Sequence, residues 1–272
     1  MHRLYVGYAR SPNHPMKLRF LGWIRRLFNL ETVIAKTSAG LMRLNTNDYL
    51  QARIFMEGAY EAETLKLAES LLKVGDCFLD VGANVGQYAL AAAGRVGKKG
   101  QVVAVEPNPE ICADLLYNRQ LNGLERDVQV VAIAANDSNR LLRFAIPSST
   151  NRGLSQELDI QSGLTATSYW VSGVRLCEIL EALLINRVHV VKIDVEGSEL
   201  RVLKGLLDSA FPMPDHILFE FAPKHFSYGG EPKDVLKYLE KRQYQILTIS
   251  GKSYEYGDDI PELNLWARLK SN

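Results

Sequence analysis

A short apolar strand, a turn with two glycines and an alanine-rich helix follow one another directly around residue 80. The strand is predicted over residues 77–81 and the helix over residues 88–96. The same order then repeats along the chain, with strands predicted at residues 102–105, 128–134, 188–194 and 217–221 and helices at 110–121, 176–184 and 198–210. Apolar strands that alternate with helices are typical of a mostly parallel sheet covered on both faces.

The C-terminal part of the chain departs from this order. After a predicted helix at residues 233–242, strands at 245–249 and 263–269 are separated only by a turn-rich segment, which predicts an antiparallel pair. Residues 141–146 are predicted to form another antiparallel strand. Residues 147–173 are rich in small polar residues and are predicted to form a long loop of the kind that often covers a functional site.

The first 58 residues are predicted to be a helical N-terminal extension, and residues 59–272 to be the main domain. Within the extension, residues 17–30 show apolar side chains at helical spacing with basic residues around them. We expect this helix to pack on the protein itself. Peripheral contact with a membrane or a partner is the less favoured alternative. A second helix is predicted at residues 60–73.

Composition excludes several classes of protein. The formal net charge is +1, so bulk charge gives no reason to expect binding to nucleic acid. The three cysteines, Cys77, Cys112 and Cys177, are too few and too widely spaced for a disulfide framework or a cysteine-rich zinc site. Without a long apolar stretch or a signal-peptide core, we expect a cytoplasmic protein.

The turn after the first strand of the domain has the composition of a ligand-binding loop. Gly82 permits a tight turn and close approach by a ligand, and Gly86 lets the next helix begin close to the strand. Asn84 stands where a dinucleotide-binding loop prefers glycine. Asp80 would repel a pyrophosphate but attract an ammonium group. These residues favour a methionyl group over a nicotinamide dinucleotide as the ligand.

A second acidic residue, Glu106, ends the next predicted strand in the sequence EPN of residues 106–108. A carboxylate at this position can accept hydrogen bonds from both hydroxyls of a ribose. Glu106 by itself is compatible with a nicotinamide-dependent oxidoreductase or with an S-adenosylmethionine-dependent enzyme.

Further carboxylates end the fourth and fifth predicted strands, at the same edge of the sheet. Methyl transfer to an alcohol needs a base, and Asp194 is the leading candidate, with Glu196 second. Glu220 is predicted to face the substrate. A pair of such carboxylates could bind Mg²⁺, although no metal site is predicted. Among the histidines, His225 is the one we would test as a base.

Four segments, taken together, resemble the FkbM family of methyltransferases, and the resemblance covers about residues 48 to 249. The order and spacing of the segments make it specific. They are FMEGAYE at residues 55–61, FLDVGANVGQY at 78–88, EPN at 106–108 and KIDVEGSE at 192–199.

The resemblance implies a class I methyltransferase fold, which is Rossmann-like and α/β, with a seven-stranded, mostly parallel sheet and an antiparallel C-terminal strand. It implies S-adenosylmethionine as donor and O-methylation of a hydroxyl on a sugar, glycan or natural product. The site residues that it implies are Asp80, Gly82, Asn84 and Gly86 on the methionyl side, Glu106 and Asn108 at the ribose, Asn136 and Asp137 near the adenine, and Glu61 closing over the cofactor.

Two departures from the family's pattern fall on the expected substrate side. The family often has TLD before its fourth strand, where this chain has Arg175-Leu176-Cys177, and residues 151–155 follow the usual small-residue pattern only in part. The alternatives to an O-methyltransferase are an oxidoreductase, a methyltransferase of RNA or protein, and a membrane-associated adaptor.

Overall fold

A computed structural model describes residues 31–145, 157–158, 168–222, 231–259 and 263–270. The predicted basic helix at residues 17–30, the residues 151–155 and His225 lie outside the described residues. The strands are β1 (Thr32–Thr37), β2 (Gly40–Asn45), β3 (Cys77–Val81), β4 (Gln101–Val105), β5 (Val128–Val131), β6 (Ala134–Ala135), β7 (Arg140–Ala145), β8 (Ser168–Val174), β9 (Val190–Ile193), β10 (His216–Glu220), β11 (Tyr244–Thr248) and β12 (Asn264–Leu269).

Helices alternate with the strands of the central sheet, as the sequence predicts. They are α1 (Tyr49–Glu57), α2 (Ala62–Leu71), α3 (Gln87–Val96), α4 (Pro109–Leu121), α5 (Leu176–Ala182), α6 (Glu199–Leu207) and α7 (Pro232–Lys241). None of the described helices is both long enough and apolar enough to cross a bilayer.

The central sheet has seven strands in the order β11-β12-β10-β9-β3-β4-β5. Strands β10, β9, β3, β4 and β5 pair in parallel, and β12 runs antiparallel to both β10 and β11. This arrangement confirms the predicted class I methyltransferase fold, including the antiparallel C-terminal strand.

Both faces of the central strands are buried, which explains why their sequences are apolar throughout rather than alternating. Every residue of β3 and of β9 is buried. Phe78 packs with α3 and the β1–β2 hairpin on one face, whereas its neighbour Leu79 packs with α5, α6 and α7 on the other. The strand ends that carry polar residues are therefore held rigidly from both sides.

The N-terminal part of the described chain contains an antiparallel hairpin, β1–β2, that the sequence analysis did not predict. Its side chains alternate between buried and exposed, and Val33 and Leu44 join the core around Phe78. The hairpin is tied to α4, because Asn118 Oδ1 accepts from the Arg43 N–H at 2.7 Å. The extension is thus not helical throughout. The division at residue 58 stays a prediction.

A second, three-stranded sheet has the order β6-β8-β7. The prediction of one loop over residues 147–173 was wrong at its C-terminal end, where β8 pairs antiparallel with β7 along the whole of the latter. The strand is difficult to predict from the sequence because it contains residue types that are common in loops, at Ser168, Ser172 and Gly173. Its aromatic side chain Tyr169 stacks on Phe144, with ring centroids 5.7 Å apart.

A glycine in α6 controls how closely this helix approaches β6, and substitution provides a test. A Cβ at Gly205 would lie 2.0 Å from the carbonyl oxygen of Asn136, whereas one at Gly94 in α3 would meet nothing within 4 Å. We expect Gly205→Ala to lower the free energy of unfolding by about 1–3 kcal/mol. The matched control Gly94→Ala should raise it by up to about 1 kcal/mol, because alanine favours helix. Urea denaturation measures both, and equal effects of the two substitutions would contradict the described packing.

Candidate active site

A cavity of about 500 Å³ opens where the parallel strands end. Carboxyl ends of adjacent parallel strands meet at one edge of a sheet, which is where open α/β sheets bind ligands. Residues from the ends of four strands line the cavity, among them Val81 at the end of β3, Gly82 after it, Glu106 after β4, Asp194 after β9 and Glu220 at the end of β10.

The glycine-containing turn forms the floor of the cavity. The N–H of Gly82 donates to the carbonyl oxygen of Val105 at 3.0 Å, and Gly82 has φ of 78°. A Cβ at Gly82 would lie 1.8 Å from the carbonyl oxygen of Asp194, so only glycine allows the turn to approach β9 this closely. Asn84 also adopts a left-handed conformation and lines the cavity, and Gly86 precedes the first residue of α3.

Glu106 is held by two backbone groups and still lines the cavity. Its Oε2 accepts from the Asn84 N–H and its Oε1 from the Asn108 N–H, both at 2.8 Å. Burial raises the pKa of Glu106 to about 7, although these two hydrogen bonds act to lower it. Each carboxylate oxygen can accept a further bond, so Glu106 fits a pair of ligand hydroxyls.

Asn108 is the N-cap of α4 rather than part of the cavity wall. Its Oδ1 accepts from the N–H groups of Glu110 and Ile111, and its side chain is buried. Asn108 does not line the cavity. The Asn108 backbone holds Glu106, and a contact of Asn108 with the cofactor stays a prediction.

Asp80 lies beneath the turn and not at the cavity surface. It is 1% exposed, and it does not line the cavity. Burial raises its pKa to about 7, while the charge of Lys192 and a backbone hydrogen bond from Ala89 act to lower it. The strand buries the Asp80 side chain under the residues that follow it, and its contact with an ammonium group stays a prediction.

The two residues predicted near an adenine separate in the structure. Asn136 lines the cavity and is nearly fully buried. Asp137 turns away from it and lines a separate surface pocket with Arg140 and Arg175. The placement of Asp137 near an adenine stays a prediction.

An acidic wall, which consists of Asp194, Glu196 and Glu220, forms one side of the cavity. One carboxylate oxygen from each lies within 4.8 Å of the others. Burial together with the charge of Asp194 raises the pKa of Glu196 to about 8 and that of Glu220 to about 9. Clusters of carboxyl groups occur in proteins with and without a bound cation. In this cluster, the ammonium group of Lys192 lies beside Asp194.

The turn after β9 positions this wall. Glu196 has φ of 55°, a conformation that non-glycine residues seldom adopt outside functional sites. Ser198 precedes α6 without a side-chain capping hydrogen bond, and Glu199 Oε1 accepts from the Gly197 N–H at 3.2 Å. The side chain of Glu196 therefore stays at the cavity.

Lys192 is the residue that sequence reasoning missed. It is 0% exposed, and its Nζ lies 3.3 Å from Asp194 Oδ2 and 3.9 Å from Glu61 Oε2. The signal was present, because a lysine in an otherwise apolar central strand must have a buried partner. Glu61 itself does not line the cavity and accepts from the Tyr88 hydroxyl at 2.9 Å. Its closure over the cofactor stays a prediction. Its neighbour Tyr60 lines the cavity instead.

Comparison with known proteins gives a consistent picture. A family model described as the methyltransferase FkbM domain matches residues 80–246, more than half of the chain. The hexuronic acid methyltransferase AglP of Haloferax volcanii is 28% identical over 66% of this chain and 68% of its own length. The 31-O-demethyl-FK506 methyltransferase FkbM of Streptomyces tacrolimicus is 26% identical over 70% of this chain and 81% of its own.

Two further similarities are to a synthetase and to a solved structure. The AMB antimetabolite synthetase AmbE of Pseudomonas aeruginosa is 27% identical over 81% of this chain. The match covers only 12% of the length of that synthetase. Among solved structures, a SAM-dependent O-methyltransferase of Thermotoga maritima has a TM-score of 0.44 at 14% identity, over 79% of this chain and 67% of that one.

The raised pKa values of the buried carboxyl groups predict how stability depends on pH. Between the ordinary pKa of a glutamate and the raised pKa of Glu196 or Glu220, the folded state holds protons that the unfolded state releases. The free energy of unfolding should therefore fall as pH rises from about 5 to about 9. Urea denaturation at several pH values measures this, and Glu196→Gln should flatten the fall. The control Glu125→Gln, at an exposed position, should not. A stability that rises over this range contradicts the described burial.

Proposed function

The chain belongs to the FkbM methyltransferase family, and from that premise we propose that it transfers the methyl group of S-adenosylmethionine to a hydroxyl oxygen of a sugar, glycan or natural product. The observation that carries the proposal is the placement of Glu106, Asp194 and Glu220 in one cavity, at the ends of three different strands. The first suits a ribose, and the other two suit an acceptor hydroxyl.

The match to the FkbM family supports S-adenosylmethionine as the donor, and the residues present fit it. The cavity volume of about 500 Å³ lies in the usual range for small-molecule sites. Glu106 would accept from the ribose hydroxyls, and the turn at Gly82 and Asn84 would hold the methionyl side. When bound, the donor supplies an electrophilic methyl group on a cationic sulfur.

The acidic wall suits both the cationic donor and the deprotonation of an alcohol. Among the described residues, the cavity lining contains carboxylates but no lysine, arginine or histidine. In the proposed reaction, Asp194 accepts the proton of the acceptor hydroxyl as the oxygen bonds to the methyl carbon. Glu220 and Glu196 lie beside it and would orient the hydroxyl.

The relatives support a hydroxylated acceptor without specifying it. One is named for a hexuronic acid and another for the 31-O-demethyl form of FK506, so the names span a sugar acid and a natural product. We therefore propose the class of acceptor and not a single compound.

Incubation of the protein with S-adenosylmethionine and a panel of hydroxylated sugars and natural products tests this function. Mass spectrometry should detect a product that has gained one CH₂ unit, located on oxygen by fragmentation. Asp194→Asn should lower the initial rate by about 10²–10⁴-fold, because it removes the base. Glu125→Gln, at an exposed position before β5, is the control and should retain the rate. Methylation of nitrogen or carbon, or an unchanged rate for Asp194→Asn, would contradict the proposal.

A further inference from the structure

Lys192 lies in the middle of the central sheet, fully buried, although it carries a charge. In β9 it pairs in register with Asp80 of β3 on one side and with Leu218 of β10 on the other. Moving an ammonium group from water into a protein interior costs several kcal/mol unless partners compensate. The contacts of the Lys192 side chain must therefore compensate for the cost of burying its charge.

The contacts of Lys192 come from separate elements that meet beside the cavity. Its Nζ donates to Asn264 Oδ1 of β12 at 3.0 Å and to Asp194 Oδ2 at 3.3 Å. Glu61, immediately before α2, lies 3.9 Å away, and the ring centroid of Tyr88 in α3 lies 5.4 Å away. One amine thus links the end of β9 with β12, with the residue before α2 and with α3.

The charges that face Lys192 keep it a cation. Burial acts to lower the pKa of the amine, but the carboxylates of Asp194 and Glu61 raise it above that of a free lysine, with smaller contributions from Glu220 and Asp80. In return, the charge of Lys192 acts to lower the pKa of four nearby carboxyl groups, those of Glu61, Asp80, Glu196 and Glu220.

Asp194 is the point where this buried pair reaches the cavity. Lys192 and Asp194 are two residues apart, so their side chains project from the same face of β9 as it ends. Asp194 lines the cavity, whereas Lys192 does not. Without Lys192, the repulsion from Glu196 and Glu220 would favour rotation of the Asp194 side chain away from these two carboxyl groups.

We propose that Lys192 is a positioning residue whose ammonium group holds the Asp194 carboxylate at the cavity wall and couples it to Glu61. This inference rests on the proposed function, in which Asp194 faces a cationic donor and an acceptor hydroxyl. It predicts that the charge of the wall, and with it the preference for a cationic ligand, depends on Lys192.

Two ligands that differ by one charge provide the test, without knowledge of the acceptor. S-adenosylmethionine carries a cationic sulfonium, whereas S-adenosylhomocysteine carries a neutral thioether. Calorimetry from about pH 6 to about pH 9 gives the ratio of their dissociation constants, and the preference for the cation should increase as the wall ionises. In the Lys192→Met variant, the pH at which this preference increases should be higher by about one unit or more. The reason is that removal of the positive charge makes the neighbouring carboxyl groups harder to ionise. Lys192→Arg should restore the original profile.

A second variant keeps the test informative if Lys192→Met does not fold. Glu61→Gln removes a negative charge that raises the pKa of Glu196. The preference for the cationic ligand should therefore begin to increase at a lower pH, which is the opposite of the effect of Lys192→Met. A merely structural lysine would weaken both ligands in parallel and leave the pH profile unchanged. That result would overturn the role of Lys192 alone. Failure of the unaltered protein to bind either ligand would overturn the proposed donor, and this inference with it.

Discussion

The close approach of the turn after β3 to the end of β9 is the contact on which the rest of the site depends. The backbone of Gly82 lies against the carbonyl oxygen of Asp194, and the Asp194 N–H donates to the carbonyl oxygen of Val81 at 2.9 Å. Because the two strands are neighbours in a parallel sheet, this contact fixes the distance between the floor of the cavity and its acidic wall. A side chain at residue 82 would separate them.

Electrostatics adds a second constraint to this geometry. In the wall, burial and repulsion disfavour the anionic forms of Glu196 and Glu220, so their ionisation lowers the stability of the fold at neutral and higher pH. Such costs are typical of functional sites, where groups are arranged for a ligand and not for the folded protein alone. A cationic donor would relieve the repulsion, and the lysine beneath the wall relieves part of it beforehand.

Much of the fold could be predicted from the sequence because the central strands are buried on both faces. Their continuous apolar runs and the residues at their ends, such as Asp194 and Glu106, are visible in one dimension. The hairpin β1–β2 was missed although each of its strands has six residues, because its partner, Asn118, is distant in sequence. Strand β8 was missed because serine and glycine, which are common in loops, form part of it.

The site was less predictable, since direct contact depends on how far each side chain is from the cavity surface. Asp80 and Glu61 carry the right chemistry, but the structure buries both behind the residues that line the cavity. Asn264 could not have been predicted as a partner of Lys192, because that contact requires β12 to insert between β10 and β11. Sequence spacing gives the edge of the sheet on which a residue lies, but not its depth.

The most direct test of the central claim is a crystal structure of the protein with S-adenosylhomocysteine. The account predicts that the ligand lies across the turn at Gly82, with its ribose hydroxyls hydrogen-bonded to the Glu106 carboxylate and its sulfur directed towards Asp194. A ligand bound elsewhere, or one whose ribose contacts the acidic wall instead of Glu106, would contradict it.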